Sequence, residues 1–442
     1  MRISRLYIKK YKNLNEINLN FNNSDFAILI GNNGSGKSNF LEAVILIFKG
    51  INNLEQPLFD FEIEYILSDG RNIKIKSDEH LKYIIKVDDE EITIKQLKSL
   101  IKDNSKTILP HNILVYYSGH STKLMDLMSF AIKNFIKNIE LGTFVPRHFF
   151  YLNPVYFPMV LLSILGSELD DIKRIIRKNL KITAIDSFSI TVNRKKAQSI
   201  EFISPFIDIL EELKDGITEL QETQVFSFKG SSLQRILDHQ DVGYDRDLFK
   251  YLDVAHNTGA LLGVSVNCTL ESGAVIPDHD FSEGEQQYLM LNAIIEFFGY
   301  KDTLYLFDEP DTFFHPKWQR EFLVDIKDTG VETQLIITTH SPLMLSNVDD
   351  NDIYVMDRGK VYTTTSNGSL GRDTNGILSE LMGVAERPED VIQLMRSFHE
   401  SISRKDIEEA RRISSELRGK ISNADPFFLE ADALIEMLEV LD

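Results

Sequence analysis

One cysteine in 442 residues, Cys268, leaves nothing from which to build an internal disulfide or a thiolate metal cluster, and no oxidising compartment is called for. The cytoplasm is the expected location. Long apolar runs are equally scarce: the longest, Phe157 to Leu165, is about half the ~20 residues needed to cross a bilayer, so no membrane span is expected. Met1 to Lys12 is basic but has no apolar core and no small-residue cleavage site, which argues against a secretory signal. Positive charge is in deficit. The 48 basic against 67 acidic side chains give −19, a field that repels polyanions on average and disfavours a long non-specific nucleic-acid groove. What is present is ordinary: 43% hydrophobic and 26% charged residues exclude a disordered chain or a fibrous repeat. At ~150 residues per domain the length allows about three folding units, or one large domain with an insertion.

The chain opens with alternating apolar residues, Ile3, Leu6, Ile8 and then Ile17, Leu19, Phe21, which predict two short strands before the buried run Phe26 to Ile30. That run ends in Gly31-Asn32-Asn33-Gly34-Ser35-Gly36-Lys37-Ser38, after which Phe40, Leu41, Val44, Ile45 and Phe48 recur with helical spacing. Segments 61–67, 73–76 and 83–87, broken by Asp69-Gly70 and Asp88-Asp89, read as an antiparallel meander, followed by a strand over 113–117. From about Leu124 to Thr223 the pattern turns mainly helical. Leu127, Phe130, Ile132 and Phe135 form one stripe, and Ile207, Leu210, Leu213, Ile217 and Leu220 another, the latter spanning about 21 Å at 1.5 Å per residue, far short of a coiled-coil arm. Buried strands are expected over 303–307 and 334–338, a helix over 318–327, and closing strands over 353–356 and 360–364. Beyond Gly376 the chain reads as helical over 388–401, 405–417 and 426–441. No internal repeat or low-complexity tract stands out.

Gly31-x4-Gly36-Lys37-Ser38 has the form of a phosphate-binding loop, in which backbone N–H groups and a helix N-terminus cradle phosphates. Asn33, Gly34, Ser35, Gly36, Lys37, Ser38 and Asn39 are the candidate nucleotide contacts; Lys37 reaches the β and γ phosphates and Ser38 offers a hydroxyl to Mg²⁺. Leu304 to Pro310 places Asp308 and Glu309 at the end of an apolar strand, where like charges are costly unless a cation or a proton transfer employs them. Asp308 suits the magnesium ion, and Glu309 is the candidate to polarise the attacking water. Ser282-Glu283-Gly284-Glu285-Gln286 stands just ahead of a helical run; on its own it reads as a capping box of Ser282 with Glu285, and with the other motifs as an anion contact through Ser282, Gly284 and Glu285. His340 ends the next strand, at the edge where α/β sheets bind ligands, and is a candidate to meet a γ-phosphate or the water.

In this order the four blocks resemble the ABC-type ATPases, specifically the soluble branch that includes SMC, RecF and OLD-family proteins. The resemblance, over roughly 1–118 and 276–365, implies Walker A at Gly31–Ser38, a signature at Ser282–Gln286, Walker B at Leu304–Glu309, a D-loop from Asp311 at a subunit boundary, and a switch histidine at His340. It implies ATP and Mg²⁺ as cofactors, Glu309, His340 and Lys37 as catalytic residues, and two ATP molecules held between two copies, each Ser282 and Gly284 touching the γ-phosphate on the opposite Lys37. Glu283 and Glu285 in the signature resemble the soluble branch and disfavour transport. The family's Q-loop glutamine has no counterpart in Tyr116-Tyr117-Ser118-Gly119-His120. The run from Asp308 to Gln319 and the closing helices are similar to the PtuA-type ATPases of Septu and related anti-phage defence systems.

The implied fold is α/β: an ABC-type ATPase with a mixed β-sheet core and an antiparallel β subdomain over 1–118, an inserted helical lobe over 119–275, the second part of the core over 276–376, and a C-terminal helical segment over 377–442. The implied function is a regulatory ATPase that dimerises on ATP, with a higher oligomer left open, holding a separate nuclease or toxin in check. No acidic nuclease cluster or His-Asn-His motif follows the ATPase blocks, and Asp349 to Asp352 reads as a solvated acidic turn. A RecF- or SMC-like DNA-repair ATPase and a scaffold with a structural nucleotide are the alternatives. Weaker signals are the basic run Lys173, Arg174, Arg177, Lys178, Lys181 with Arg194 to Lys196, where a nucleic-acid backbone finds charge or which is only a solvated helix face. Tyr7, Tyr11 and Lys12 are candidates to stack on adenine, and the acidic last helix is a candidate to dock a basic partner, although its stripe Leu434, Leu438, Leu441 is sufficient to bind its own subunit.

Overall fold

The computed structural model describes all residues except 23, 78–79, 81, 103–106, 120–121, 143–146, 167–169, 240–241, 243–244, 300–301, 329–332, 364–386 and 442. His120 and the expected junction near 376 therefore lie outside the described residues. The chain separates into two compact units, Met1–Arg372 and Asp373–Asp442.

The first unit begins with the hairpin β1 (Arg2–Tyr11) and β2 (Leu14–Asn20), then β3 (Phe26–Ile30) and α1 (Lys37–Asn53). Next come β4 (Phe61–Ile66), β5 (Asn72–Ser77), β6 (Tyr83–Val87), β7 (Glu90–Ile92), α2 (Ile94–Lys102) and β8 (Asn112–Tyr117). One six-stranded sheet is antiparallel in the order β2-β1-β4-β5-β6-β7. The meander is thus the continuation of the opening hairpin, joined edge to edge as β1 pairs with β4. Side chains of α1, Phe40, Leu41, Val44, Ile45 and Phe48, share one apolar cluster with Ile3, Leu6 and Ile63 of this sheet and with Leu304, Leu306 and Ile336 of the other. Burial of that many aliphatic and aromatic groups, at ~25 cal/mol per Å² of apolar surface, is what fixes α1 between two sheets.

The middle of the chain holds α3 (Lys123–Glu140), β9 (Phe149–Leu152), α4 (Phe157–Leu165), α5 (Asp170–Leu180), β10 (Ile182–Asn193), α6 (Arg194–Ser199), α7 (Ser204–Leu213), β11 (Gly216–Leu220), β12 (Thr223–Lys229), α8 (Ser232–Leu237), α9 (Asp245–Asn257), β13 (Leu261–Leu270) and β14 (Val275–Pro277). Here the expectation of a mainly helical insertion is corrected: the lobe also contains a five-stranded antiparallel sheet, β11-β12-β10-β13-β14. The stripe from Ile207 to Leu220 is two elements. It stops as a helix at Leu213, and Ile217 and Leu220 lie on β11, exposed at 37% and 63%, ahead of a hairpin whose Gln221 takes a left-handed φ of 53°. In β10 the inward side chains Phe188, Ile190 and Val192 alternate, as a half-buried strand requires.

The chain then returns to the core with α10 (Glu283–Phe298), β15 (Thr303–Asp308), α11 (Pro316–Asp328), β16 (Gln334–Thr338), α12 (Pro342–Leu345), β17 (Ile353–Asp357) and β18 (Lys360–Thr363). The seven-stranded sheet runs β18-β17-β3-β16-β15-β8-β9, parallel throughout except for the β17–β18 hairpin. β3, β15 and β16 are buried at every position, as expected of parallel strands covered on both faces. Asp352, read in sequence as part of a solvated acidic turn, is 7% exposed, and burial raises its carboxyl pKa. Among the described residues of the second unit are three helices, α13 (Glu389–Ser403), α14 (Ile407–Arg418) and α15 (Pro426–Leu441), around Phe398, Ile413, Leu417, Phe427 and Phe428.

Candidate functional site

Parallel strands deliver everything at their carboxyl ends to one edge, and β3, β16 and β15 are neighbours in the sheet. The loop Gly31–Gly36 leaves β3 there. Gly31 has φ 147° and a Cβ on it would stand 2.2 Å from the Met356 carbonyl oxygen; Gly36, with φ 116°, is the N-cap of α1. Any side chain at Gly31 collides with backbone, which is why the position needs glycine. The loop is clamped from outside: Asn13 Nδ2 donates to the Gly34 carbonyl at 2.9 Å and the Gly359 N–H donates to the Ser35 carbonyl at 3.0 Å. Asn39 donates its amide to Asn13 Oδ1 at 2.7 Å, so it braces that clamp. The Ser35 hydroxyl is buried without a hydrogen-bond partner. Such a strand, turn and helix N-terminus offer unpaired N–H groups and positive dipole to an anion.

Lys37 is buried at 5% exposure, its ammonium donating to the Gly31 carbonyl at 2.8 Å and lying 2.8 Å from Nε2 of His340. Burial lowers its pKa, against the upward pull of Glu309 and Asp308. Asp308, the last residue of β15, is 1% exposed; the Thr338 hydroxyl donates to its Oδ1, and Oδ2 is buried outside good hydrogen-bond geometry. Burial raises its pKa, with Thr338 and, more loosely, Ser38 pulling the other way. A buried carboxylate oxygen without a strong donor beside a serine hydroxyl fits a magnesium ion: Ser38 and Asp308 would hold it, and it would supply positive charge against phosphate oxygens.

Glu309 turns the chain out of β15 with a left-handed φ of 53°, an unfavoured conformation for a residue with a side chain. Its N–H donates to both the carbonyl, at 3.1 Å, and the hydroxyl, at 3.0 Å, of Thr338, which hold the kink. The carboxylate consequently leaves the direction of Asp308 and faces His340, Oε1 to Nε2 3.4 Å. Hydrogen bonding to that ring keeps the Glu309 pKa below the usual range, which holds the carboxylate in its ionised form. Lys37, Asp308, Glu309 and His340 are therefore brought together as the sequence predicted.

Asp311, expected to begin a loop at a subunit boundary, is itself buried at 5% exposure, accepting from the Thr339 hydroxyl at 2.9 Å, and burial pushes its carboxyl up to about 6. An exposed large apolar side chain of this loop is Phe313, 45% accessible, which sequence reasoning did not single out. Ser282 forms the capping box in full: its hydroxyl accepts from the Glu285 N–H, and Glu285 Oε2 accepts from the Ser282 N–H at 2.8 Å. Gly284 packs so closely that a Cβ would stand 2.3 Å from the Phe313 carbonyl oxygen. Gln287 donates to the Tyr116 hydroxyl at 2.7 Å, tying α10 to β8. Among the described residues no hydrogen bond or ion pair joins Ser282 or Glu285 to the Lys37 group. Tyr7 and Tyr11 are otherwise engaged: Tyr7 donates to Glu16 at 2.7 Å, Tyr11 donates to Glu42 at 2.8 Å, and Lys12 pairs with Glu42.

Residues 2–363 match the family described as the RecF/RecN/SMC N terminal domain. A retron Vc95 probable ATPase from Vibrio cholerae serotype O1 biovar El Tor is 23% identical over an alignment covering 93% of this chain and 85% of that protein. Endonuclease GajA from Bacillus cereus (strain HuB5-5) is 24% identical over 70% of this chain but only 43% of its own length. Among solved structures, the SmcHead bound to the C-winged helix domain of ScpA covers 82% of this chain and 98% of that one, at 16% identity and a TM-score of 0.39.

Proposed function

The chain belongs to the RecF/RecN/SMC N-terminal domain family, and from that premise we propose that it is an ATP-hydrolysing regulatory ATPase of bacterial anti-phage defence, acting as an ATP-bridged homodimer on a separate nuclease or toxin. The observation that carries hydrolysis is the meeting of Lys37, Asp308, Glu309 and His340 at the mouth of the glycine loop. Lys37 and the loop amides position the triphosphate. Glu309 takes the proton of a water aimed at the γ-phosphorus, and His340 fixes its carboxylate in place. ADP and phosphate are the products.

Two features support the bridged dimer. The Ser282 N-terminus of α10 is an exposed helix start whose hydroxyl and amide donate to Glu285, and it makes no bond to the Lys37 group of its own chain. Beside it Gly284 and the exposed Phe313 form one packed corner. A second copy supplying that corner would complete each pocket. The defence reading is supported by the retron relative, which aligns along most of both chains.

Phosphate release from Mg²⁺-ATP, followed against protein concentration with sedimentation velocity alongside, tests the proposal. Turnover that rises with dimer formation is the expected result; full turnover by a dilute monomer overturns the shared pocket. Coexpression with the product of the adjacent reading frame, followed by copurification, tests the effector.

A further inference from the structure

A concentrated positive surface lies outside the nucleotide pocket, against the −19 net charge of the chain. Lys173, Arg174, Arg177, Lys178 and Lys181 line one cleft of about 410 Å³ together with Glu271, which lies 3.8 Å from Lys181 Nζ. Their spacing explains the gathering: residues four apart fall in rows on one side of α5, while Ile172, Ile175, Ile176 and Leu180 are buried on the other. From Lys173 to Lys178 the array runs about 8 Å at 1.5 Å per residue, with Lys181 just beyond the end of α5. Lys178 and Lys181 have carboxylate partners, yet the lining still holds five basic side chains to one acidic, an excess that attracts a polyanion. The described lining residues include no aromatic ring, so the cleft offers charge and no platform for stacking a base.

Lys178 also reaches away from the cleft. Its Nζ lies 3.2 Å from Glu321 Oε2 and 3.8 Å from Asp325 Oδ1, both on α11. Asp325 is 7% exposed and accepts the hydroxyl hydrogen bond of Tyr288 on α10. Tyr288 is fully buried and stacked on Trp318, ring centroids 5.0 Å apart. α10 is the helix that begins beside Ser282, and its Gly284 rests on the backbone that leads into α11.

We infer that this cleft binds a ligand bearing several closely spaced phosphates, and that its occupancy is coupled to ATP turnover through Lys178, Asp325 and Tyr288. A polyanion in the cleft competes with Glu321 and Asp325 for the Lys178 ammonium. When it wins, a buried carboxylate loses its nearby cation and the α10–α11 packing that it shares with Tyr288 loosens. Ser282, held by its capping box, is then freer to reorient toward a nucleotide. Coupling of this kind is reciprocal in binding free energy, so nucleotide and cleft ligand strengthen each other. The coupling rests on the ATPase reading above; the binding site does not.

Titrations of the full chain with inositol hexakisphosphate and with a hydroxyl-ended dodecathymidylate separate a free polyphosphate from a nucleic-acid strand, and neither carries the triphosphate chain that the Gly31–Ser38 loop takes. Binding of either, weakened at least about tenfold in Lys173→Gln/Arg177→Gln while Tm and basal turnover hold, is the expected result. Binding of neither, or binding indifferent to the double substitution, overturns the site. For the coupling, the ligand is expected to raise turnover about threefold, and Lys178→Gln alone to reach the same level with little further response. No ligand effect on turnover, or one of equal size in wild type and Lys178→Gln, overturns the coupling. A chain that binds the probe yet splits no ATP refutes the ATPase reading and leaves the cleft standing.

Discussion

Lys37 Nζ lies 2.8 Å from Nε2 of His340, the same ring nitrogen that stands 3.4 Å from Glu309 Oε1. One nitrogen cannot accept a hydrogen from an ammonium and donate one to a carboxylate together. The neutral ring with a free Nε2 holds Lys37; the ring carrying a proton there holds Glu309. In the proposed mechanism a γ-phosphate arriving at Lys37 takes the ammonium's hydrogens and releases the ring to the carboxylate. His340→Ala is therefore expected to lower kcat by about 100-fold while the Kd for ATP changes by less than about threefold. Single-turnover phosphate release and a fluorescent-nucleotide titration separate the two.

Glu309→Gln keeps the side chain's size and removes its basicity. Turnover should fall at least about 100-fold with ATP still bound, leaving closed dimers that persist in sedimentation velocity after free nucleotide is removed. Turnover within about threefold of wild type would take Glu309 out of its role.

Asp311 carries a pH signature. Its carboxyl is pushed by burial from 3.8 to about 6, so between those values the folded chain holds a proton that the unfolded chain has released. The group favours folding most below pH 4, and that contribution is lost as pH rises through about 6, a change on the order of 3 kcal/mol. Asp311→Asn, which can still accept from Thr339, should be more stable than wild type at pH 7 and flatter between pH 4 and 7 in urea melts. Parallel wild-type and variant curves across that range would refute the assignment.

Gly284→Ala places a methyl 2.3 Å from the Phe313 carbonyl oxygen, a collision with backbone that neither helix relieves without shifting. We expect a loss of about 1–3 kcal/mol in chemical denaturation and a fall in turnover that exceeds the fall in ATP affinity, since the cradle around Lys37 is untouched. Equal losses in both would place Gly284 in the nucleotide's own pocket.

Away from the site, Arg147 and Asp253 form an ion pair at 2.9 Å with side chains 2% and 7% exposed, and Asp253 accepts from Tyr156 at 2.8 Å and from Asn257 at 2.8 Å. The Arg147 guanidinium also lies 4.0 Å from the ring centre of Phe150 on β9. Arg147→Ala leaves the carboxylate buried without its cation and should destabilise the chain by about 3–5 kcal/mol in urea unfolding. A loss below about 1 kcal/mol would show that the network is satisfied without it.

The core was legible because its strands are apolar throughout and its loops carry glycine where side chains cannot fit. The runs Tyr83 to Val87 and Gln334 to Thr338 coincide with β6 and β16 residue for residue. The sheet of the middle segment was hidden by an accident of spacing: Ile217 and Leu220 continue the three- and four-residue steps of α7, although both point into solvent from a strand. The available signal was the alternation Phe188, Ile190, Val192 within a β-branched run. The glycine loop and the Asp308–Glu309 pair were readable because phosphate and carboxylate chemistry tolerates few residue types. The burial of Asp311, the exposure of Phe313 and the reach of Lys178 to Asp325 depend on elements distant in sequence, and no local pattern encodes them.

The clamp on the phosphate loop has a kinetic consequence. With Gly34 and Ser35 pinned by Asn13 and Gly359, and Gly31 pressed against Met356, the receptacle is set before any guest arrives. Little ordering remains to be done on capture, so nucleotide entry should be fast and nearly independent of viscosity-sensitive loop motion. On the proposal of an ATP-bridged dimer, control over the cycle then falls on the slower meeting of two polypeptides.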